Sequence, residues 1–127
     1  MPTAIEKYQS LVQKLFQNTN SKNLSWTHAD DNPRYIEIRI ANRYLSVAES
    51  ENENGDPLIV VTIYDDDNNP VEKFDDEDIR GNPVEYYEGK TYYQLLLSIF
   101  NMGRRQSTGA DEAIDDILLE LDKMVPF

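Results

Sequence analysis

The first residues of the chain repeat apolar side chains at helical spacing. Apolar residues recur three or four positions apart from Ile5 to Phe16, which is the period of a single helix face. Pro2 is well suited to a helix start, and the polar run NTNSKN at 18–23 is typical of a turn. The pattern predicts a helix from Thr3 to Gln17.

From residue 24 the hydrophobic period changes from 3.6 to 2. Apolar and polar residues alternate in the segments 24–28, 35–40 and 44–50, and two further strand-like segments cover 58–64 and, more briefly, 71–74. The segment LIVVTIY at 58–64 is apolar on both faces, which favours a central strand. Because the connections between neighbours are short, the strands are expected to form an antiparallel β-meander of four to five strands.

Two helical patterns close the chain. Thr91 and Gln94 have the spacing of a capping box and precede an apolar segment, so the sequence predicts a helix over 91–105. A second amphipathic pattern predicts a helix over 109–124. The whole chain, 1–127, therefore reads as a single α+β domain: an N-terminal helix, the meander and two C-terminal helices packed on the sheet.

The net charge of −12 is distributed unevenly. Residues 1–48 carry six bases against four acids, and residues 49–127 carry six bases against twenty acids. An acidic surface of this kind repels nucleic acid phosphates and anionic membranes and attracts basic protein surfaces. We therefore expect a basic protein surface as the partner, and neither nucleic acid nor a membrane. The simpler alternative is that the charge only maintains solubility.

In a meander, alternate loops meet at the same end of the sheet. The turns 41–43 and 65–70 share one end, where Arg43 partly offsets the acids at 65–67, and the loop 51–57 shares the other end with 75–78. The second end, together with two tyrosines expected in an exposed loop, supplies the predicted partner-binding residues. These are Glu49, Glu51, Glu53, Asp56, Asp75, Asp76, Glu77, Asp78, Tyr86 and Tyr87. The alternative is that the acids keep the loops solvated and the sheet edge unpaired.

The acidic run DDDNNPVEKFDDEDI at 65–79 partly matches a calcium-binding loop of the EF-hand type. Asp65, Asp67 and Asn69 fit positions one, three and five. Pro70 replaces the glycine required at position six, Asp76 replaces the glutamate at position twelve, and the flanks have the pattern of strands. We therefore expect no metal site here.

The sequence also has no recognisable catalytic motif. It contains no cysteine and a single histidine, His28, without a nucleophile motif around it. Its five glycines are scattered and form no phosphate-binding loop. We therefore expect a protein that is not an enzyme, with no catalytic residues and no cofactor.

The order of a leading helix, an antiparallel sheet and closing helices resembles class I type III secretion chaperones. That resemblance implies dimerisation through a helix and the holding of an extended effector segment, although the helices 91–105 and 109–124 depart from the pattern. The chain is also similar in type to toxin-immunity proteins and phage-encoded inhibitors of defence systems, which are often small, acidic and without catalytic activity.

The sequence thus predicts a non-enzymatic protein-binding module, an inhibitor or immunity-type regulator that occupies a basic surface. The alternatives are a secretion-chaperone-like protein, a self-assembling subunit such as a homodimer and, third, a small hydrolase. The first residues lack the basic head and apolar run of a signal peptide, and we expect a bacterial cytoplasmic protein.

Overall fold

A five-stranded antiparallel sheet with helices on one face forms the body of the protein. The computed structural model describes residues 3–29, 31–79 and 89–124. Its elements are α1 (Ala4–Asn20), β1 (Thr27–Ala29), β2 (Asn32–Ile40), β3 (Arg43–Glu51), β4 (Pro57–Tyr64), β5 (Pro70–Asp75), α2 (Asp76–Ile79), α3 (Tyr92–Thr108) and α4 (Ala110–Met124). The predicted α+β class is confirmed.

The strands follow one another in the sheet in chain order, β1-β2-β3-β4-β5, and each pair is antiparallel. The register places Ile38 opposite Leu45, and Val47 opposite Val61. Val61 in turn lies opposite Phe74. These residues are all buried and share the face that the helices cover, so the period-2 pattern and the short loops together define the meander.

The helices α1 and α3 supply the other half of the core. Helix α3 lies across β1 to β4, and α1 packs mainly against α3 and α2. Val12 of α1 and Leu96 and Ile99 of α3 are completely buried. At the β5 edge the ring of Tyr8 stacks on Phe74, with 4.3 Å between centroids. The core is therefore a two-layer helix-on-sheet arrangement.

Buried polar side chains connect α1 to later parts of the chain. The amide nitrogen Nε2 of Gln9 donates to the Ile79 carbonyl at 3.1 Å, and that of Gln13 donates to the Tyr92 hydroxyl at 3.1 Å. Each of these glutamines is buried and has a partner, which avoids the cost of an unsatisfied polar group in the core.

A close contact between Trp26 and α3 fixes the chain that enters the sheet. Gly103 lies directly against the indole, and a Cβ at this position would be 2.9 Å from Trp26 Cγ and 2.6 Å from Ile36 Cδ1. The sequence predicts that this helix ends at 105, two residues after Gly103. The helix instead continues to Thr108 and ends at Gly109, whose φ of 68° is left-handed.

Three further details differ from the sequence pattern. The strand β1 begins at Thr27, and the preceding backbone bonds to the side chain of Gln106, which accepts from Trp26 N–H at 2.8 Å. The short helix α2 was not predicted. The alternation in 35–40 places Ile40 on the same side as the core residues Ile36 and Ile38. In the structure it is 38% exposed, because it lies at the end of β2, next to the turn.

Helix α4 extends from the end of α3. Gly109 provides a one-residue connection, and Arg105 pairs with Asp111 across it. Both closing helices were expected to pack on the sheet. The helix that covers it is α3, whereas α4 contacts α3 and contains no buried residue. Within the described ranges, no helix is both long enough and apolar enough to cross a membrane.

Candidate partner-binding site

Asn52 organises the loop between β3 and β4, where several of the predicted acids lie. Its Oδ1 accepts the backbone N–H groups of Asn54 at 2.8 Å and Asp56 at 3.0 Å. Gly55 completes the loop with a φ of 81°, a conformation that favours glycine. The loop is thus shaped by local hydrogen bonds that leave Glu53 and Asp56 exposed.

The acids at the end of β5 and in the next residues surround the start of α2. The backbone N–H of Asp75 donates to Asp78 Oδ2 at 2.9 Å, and the N–H of Asp78 donates to Asp75 Oδ1 at 3.0 Å. This reciprocal arrangement has the form of a capping box. The two carboxylates satisfy free backbone donors at the start of the helix, and their charge suits its N-terminus.

Asp76 has a structural role. It is buried, and its Oδ1 accepts the backbone N–H of Ile59 in β4 at 2.8 Å. Burial raises the pKa of the Asp76 carboxyl above its usual value, while the hydrogen bond from Ile59 acts in the opposite direction. Because the side chain points into the fold, we leave it out of the candidate surface.

A direct contact joins the two acid-bearing segments. Asn52 Nδ2 donates to Glu77 Oε2 at 3.1 Å, so the β3–β4 loop touches α2. An ion pair of 3.7 Å between Arg34 and Glu51 lies at the same end, and such exposed pairs contribute little to stability. We call this region the acidic end and define it as Glu49, Glu51, Glu53, Asp56, Asp75, Glu77 and Asp78. The other two predicted residues, Tyr86 and Tyr87, lie outside the described residues.

The opposite end of the sheet is also acidic, and there too a base accompanies the acids. A cleft of about 410 Å³ is lined by residues 41–43 and 65–67, so the predicted proximity of Arg43 and Asp65 is confirmed. Backbone hydrogen bonds, that of Asn69 foremost, and the charge of Arg43 lower the pKa of the Asp65 carboxyl. Asp65 Oδ1 accepts from the N–H groups of Asp67 and Asn69, both at 2.9 Å. Its carboxylate therefore shapes the turn as Asn52 shapes the other loop.

The geometry of β5 bears on the calcium alternative. Asp65 precedes this strand and Asp76 follows it, and a strand of six residues spans roughly 20 Å. Positions one and twelve of the partial calcium motif therefore lie at opposite ends of the sheet. In the part of the chain that is described, no three acidic or histidine side chains have the arrangement of a metal site.

Among the described residues no helix covers the second face of the sheet, and this face carries tyrosines that the sequence pattern had not singled out. Tyr44 of β3 lies opposite Tyr64 of β4, and Tyr35 lies on the same face of the adjacent strand β2. The Tyr35 hydroxyl donates to Glu37 Oε2 at 2.9 Å. Burial, together with this hydrogen bond, raises the pKa of Tyr35. A cleft of about 340 Å³ is lined by Tyr35, Glu37, Tyr44, Tyr64 and Asn68. In the sequence, these tyrosines occupy outward-facing positions of the strand pattern. Only the register between the strands brings them next to one another.

His28, the residue on which the hydrolase alternative depended, is exposed on the three-residue strand β1. It lies opposite Ile36 of β2. The comparison of the chain with protein families, curated proteins and solved structures gives no match. The function is therefore argued from the geometry of the chain itself.

Proposed function

We propose that the protein is a non-enzymatic protein-binding module of the inhibitor or immunity-regulator type, and that the acidic end occupies a basic surface on a cytoplasmic partner protein. The observation that carries the proposal is the contact between Asn52 and Glu77. It joins loop and helix, so that acids from two separate segments form one surface. A concentration of like charge raises the rate of association with a basic partner.

The local hydrogen bonds add a second argument. Asn52 holds the β3–β4 loop in shape, and the reciprocal bonds of Asp75 and Asp78 fix the start of α2. A charged surface that is already ordered loses less conformational entropy on binding than a mobile one. This favours a specific interaction over simple solvation of the loops.

The test compares two charge reversals of equal size at opposite ends of the sheet. Glu51→Lys with Glu53→Lys changes the acidic end, and Asp66→Lys with Asp67→Lys changes the other end by the same net charge. All four residues are exposed, so both variants are expected to fold. Tagged wild-type protein is used to capture partners from the source cells, and bound proteins are identified by mass spectrometry at low and high salt.

We expect one dominant basic partner, released by high salt, whose purified form binds the 66/67 variant normally and the 51/53 variant weakly. Equal weakening of both variants would mean that net charge alone is responsible. Unchanged binding by the 51/53 variant would refute the assignment of the acidic end.

A further inference from the structure

Helix α4 presents an apolar stripe that is uncovered in the described structure. Ile114, Ile117, Leu118 and Leu121 follow the spacing i, i+3, i+4, i+7, and Met124 continues the stripe. Their exposed fractions range from 46% for Ile114 to 66% for Met124. Exposed apolar residues that stand singly are normal, but a continuous stripe of this kind marks an interaction surface. The spacing is that of helices that dock through one face.

Acidic side chains border this stripe on both sides. At 100° per residue, Asp111, Asp115 and Asp122 fall along one border, and Asp116 and Glu120 fall along the other. The base on this helix, Lys123, lies 3.7 Å from Glu120. Arg105 of α3 pairs with Asp111, so two of these five charges are offset and three are not. The stripe is therefore an apolar surface with negatively charged borders.

The acidic borders indicate which kind of partner can bind the stripe. Helix α4 carries six acids and one base, so a second copy of α4 would bring two helices of net charge −5 into contact along the same seam. Like charges along such a seam destabilise pairing, and opposite charges favour it. Anionic lipid would meet the same repulsion. Lys and Arg beside an apolar strip would complement both the stripe and its borders.

We propose that the α4 stripe is a docking surface for a basic amphipathic helix of another protein, whose apolar face packs on Ile114, Ile117, Leu118 and Leu121. This goes beyond the proposed function, because α4 is a different surface from the acidic end and can bind or fail to bind independently of it. A helix of fifteen residues is about 22 Å long, which provides four turns for such a contact.

The probe is a synthetic, fluorescently labelled peptide of leucine and lysine with helical amphipathic spacing. Its control is a peptide of identical composition whose order is scrambled so that no apolar face forms. Binding to the full chain is measured by fluorescence anisotropy at physiological ionic strength. If the stripe is the site, we expect the amphipathic peptide to bind at least about tenfold more tightly than the scrambled one, because only the first can bury apolar surface.

The chain offers a matched pair of variants. Ile117 lies in the stripe and is 60% exposed, whereas Leu119 lies on the other side of α4 and is 59% exposed. Ile117→Asp and Leu119→Asp each add one negative charge to the same helix and remove a branched apolar side chain of the same size. We expect Ile117→Asp to weaken binding of the amphipathic peptide by at least about tenfold and Leu119→Asp by less than about twofold.

Four outcomes would overturn the proposal. Equal binding of both peptides would show that charge alone attracts the probe, and equal weakening by both variants would show that the stripe is not the contact. Sedimentation that reveals a dimer dissociated by Ile117→Asp would assign the stripe to a second copy. Loss of peptide binding in the Glu51→Lys, Glu53→Lys variant would place the peptide on the acidic end, whereas retained binding there supports α4 whatever happens to the proposed function.

Discussion

Replacing Gly103 with alanine has two opposite effects on the free energy of unfolding, a gain in helix propensity and a steric cost, and their sizes can be compared. Alanine is favoured over glycine inside a helix by about 1 kcal/mol, so a freely exposed position would become more stable. At Gly103 the new Cβ would lie 2.6 Å from Ile36 Cδ1 and 2.9 Å from Trp26 Cγ. Extra methyl groups in a filled core typically cost about 1–3 kcal/mol.

The position of Trp26 decides which effect is larger. Its indole N–H donates to Thr19 Oγ1 at 3.1 Å, and its backbone N–H donates to Gln106 Oε1 at 2.8 Å. The ring cannot retreat from α3 without weakening bonds that contribute about 1 kcal/mol each. The steric cost therefore lies toward the upper end of its range, and Gly103→Ala is expected to lower the free energy of unfolding by about 1–2 kcal/mol.

Urea denaturation followed by tryptophan fluorescence measures this change, because Trp26 is the single tryptophan. The control compares Asn101→Ala with Asn101→Gly, since Asn101 is exposed on the same helix and gives the propensity difference without a clash. In the double variant with Ile36→Val, which removes the nearest atom, part of the loss should be recovered relative to the sum of the single changes. A Gly103→Ala protein as stable as wild type or more stable would refute the steric argument.

Substitutions at two further residues, Asp76 and Thr91, test a buried hydrogen bond and a helix cap. Asp76→Asn keeps an oxygen acceptor for Ile59 N–H and removes the buried charge, whereas Asp76→Ala removes the acceptor and should destabilise the fold by about 1–3 kcal/mol. Because the folded state holds the Asp76 proton more tightly, wild type should lose stability relative to Asp76→Asn as the pH rises from the ordinary aspartate pKa, about 3.9, through the raised value. A difference between the two proteins that stays constant with pH in urea titrations would contradict this. Thr91→Ala removes the acceptor of Gln94 N–H in the observed capping box and should cost about 1 kcal/mol, with Thr91→Ser close to wild type in thermal unfolding.

The sheet and the start of α3 were predictable because short-range patterns determine them. Alternation in 35–40 and the short run at 58–64, which is apolar on both faces, identify strands. The loops between neighbours are too short for any connection except an antiparallel one. The capping box of Thr91 and Gln94 is present as predicted, with Thr91 N–H donating to Gln94 Oε1 at 2.9 Å. These features depend on residues close together in the chain, which a single sequence records directly.

The roles of the acids in 75–78 were less accessible. As letters they are four equal charges, but Asp75 and Asp78 bind each other's backbone N–H groups and Asp76 binds that of Ile59. The Asp76 carboxylate is already occupied by a hydrogen bond from β4, and its donor, Ile59, is seventeen residues away in the chain. Charge counts therefore overestimated the free acidic surface at this end.

Helices α3 and α4 illustrate a second limit of periodicity. Both have an apolar face, but the face of α3 is buried and that of α4 is exposed. The spacing of residues predicts that a face exists and does not identify what covers it. Similarly, Gly103 resembles a helix end in the sequence, and only the tertiary contact with Trp26 explains why the helix continues through it.

The long-range bonds of α1 have a consequence for folding during synthesis. This helix is synthesised before α2 and α3, but it packs mainly on them, and its glutamines bond to Ile79 and Tyr92. At ribosomal speeds of about 5–20 residues per second, α3 follows α1 after a delay on the order of 10 s. During that interval Val12 and Leu15, which are buried in the finished fold, lack their final neighbours, so the apolar face of α1 stays exposed and this core can close only after α3 has left the ribosome.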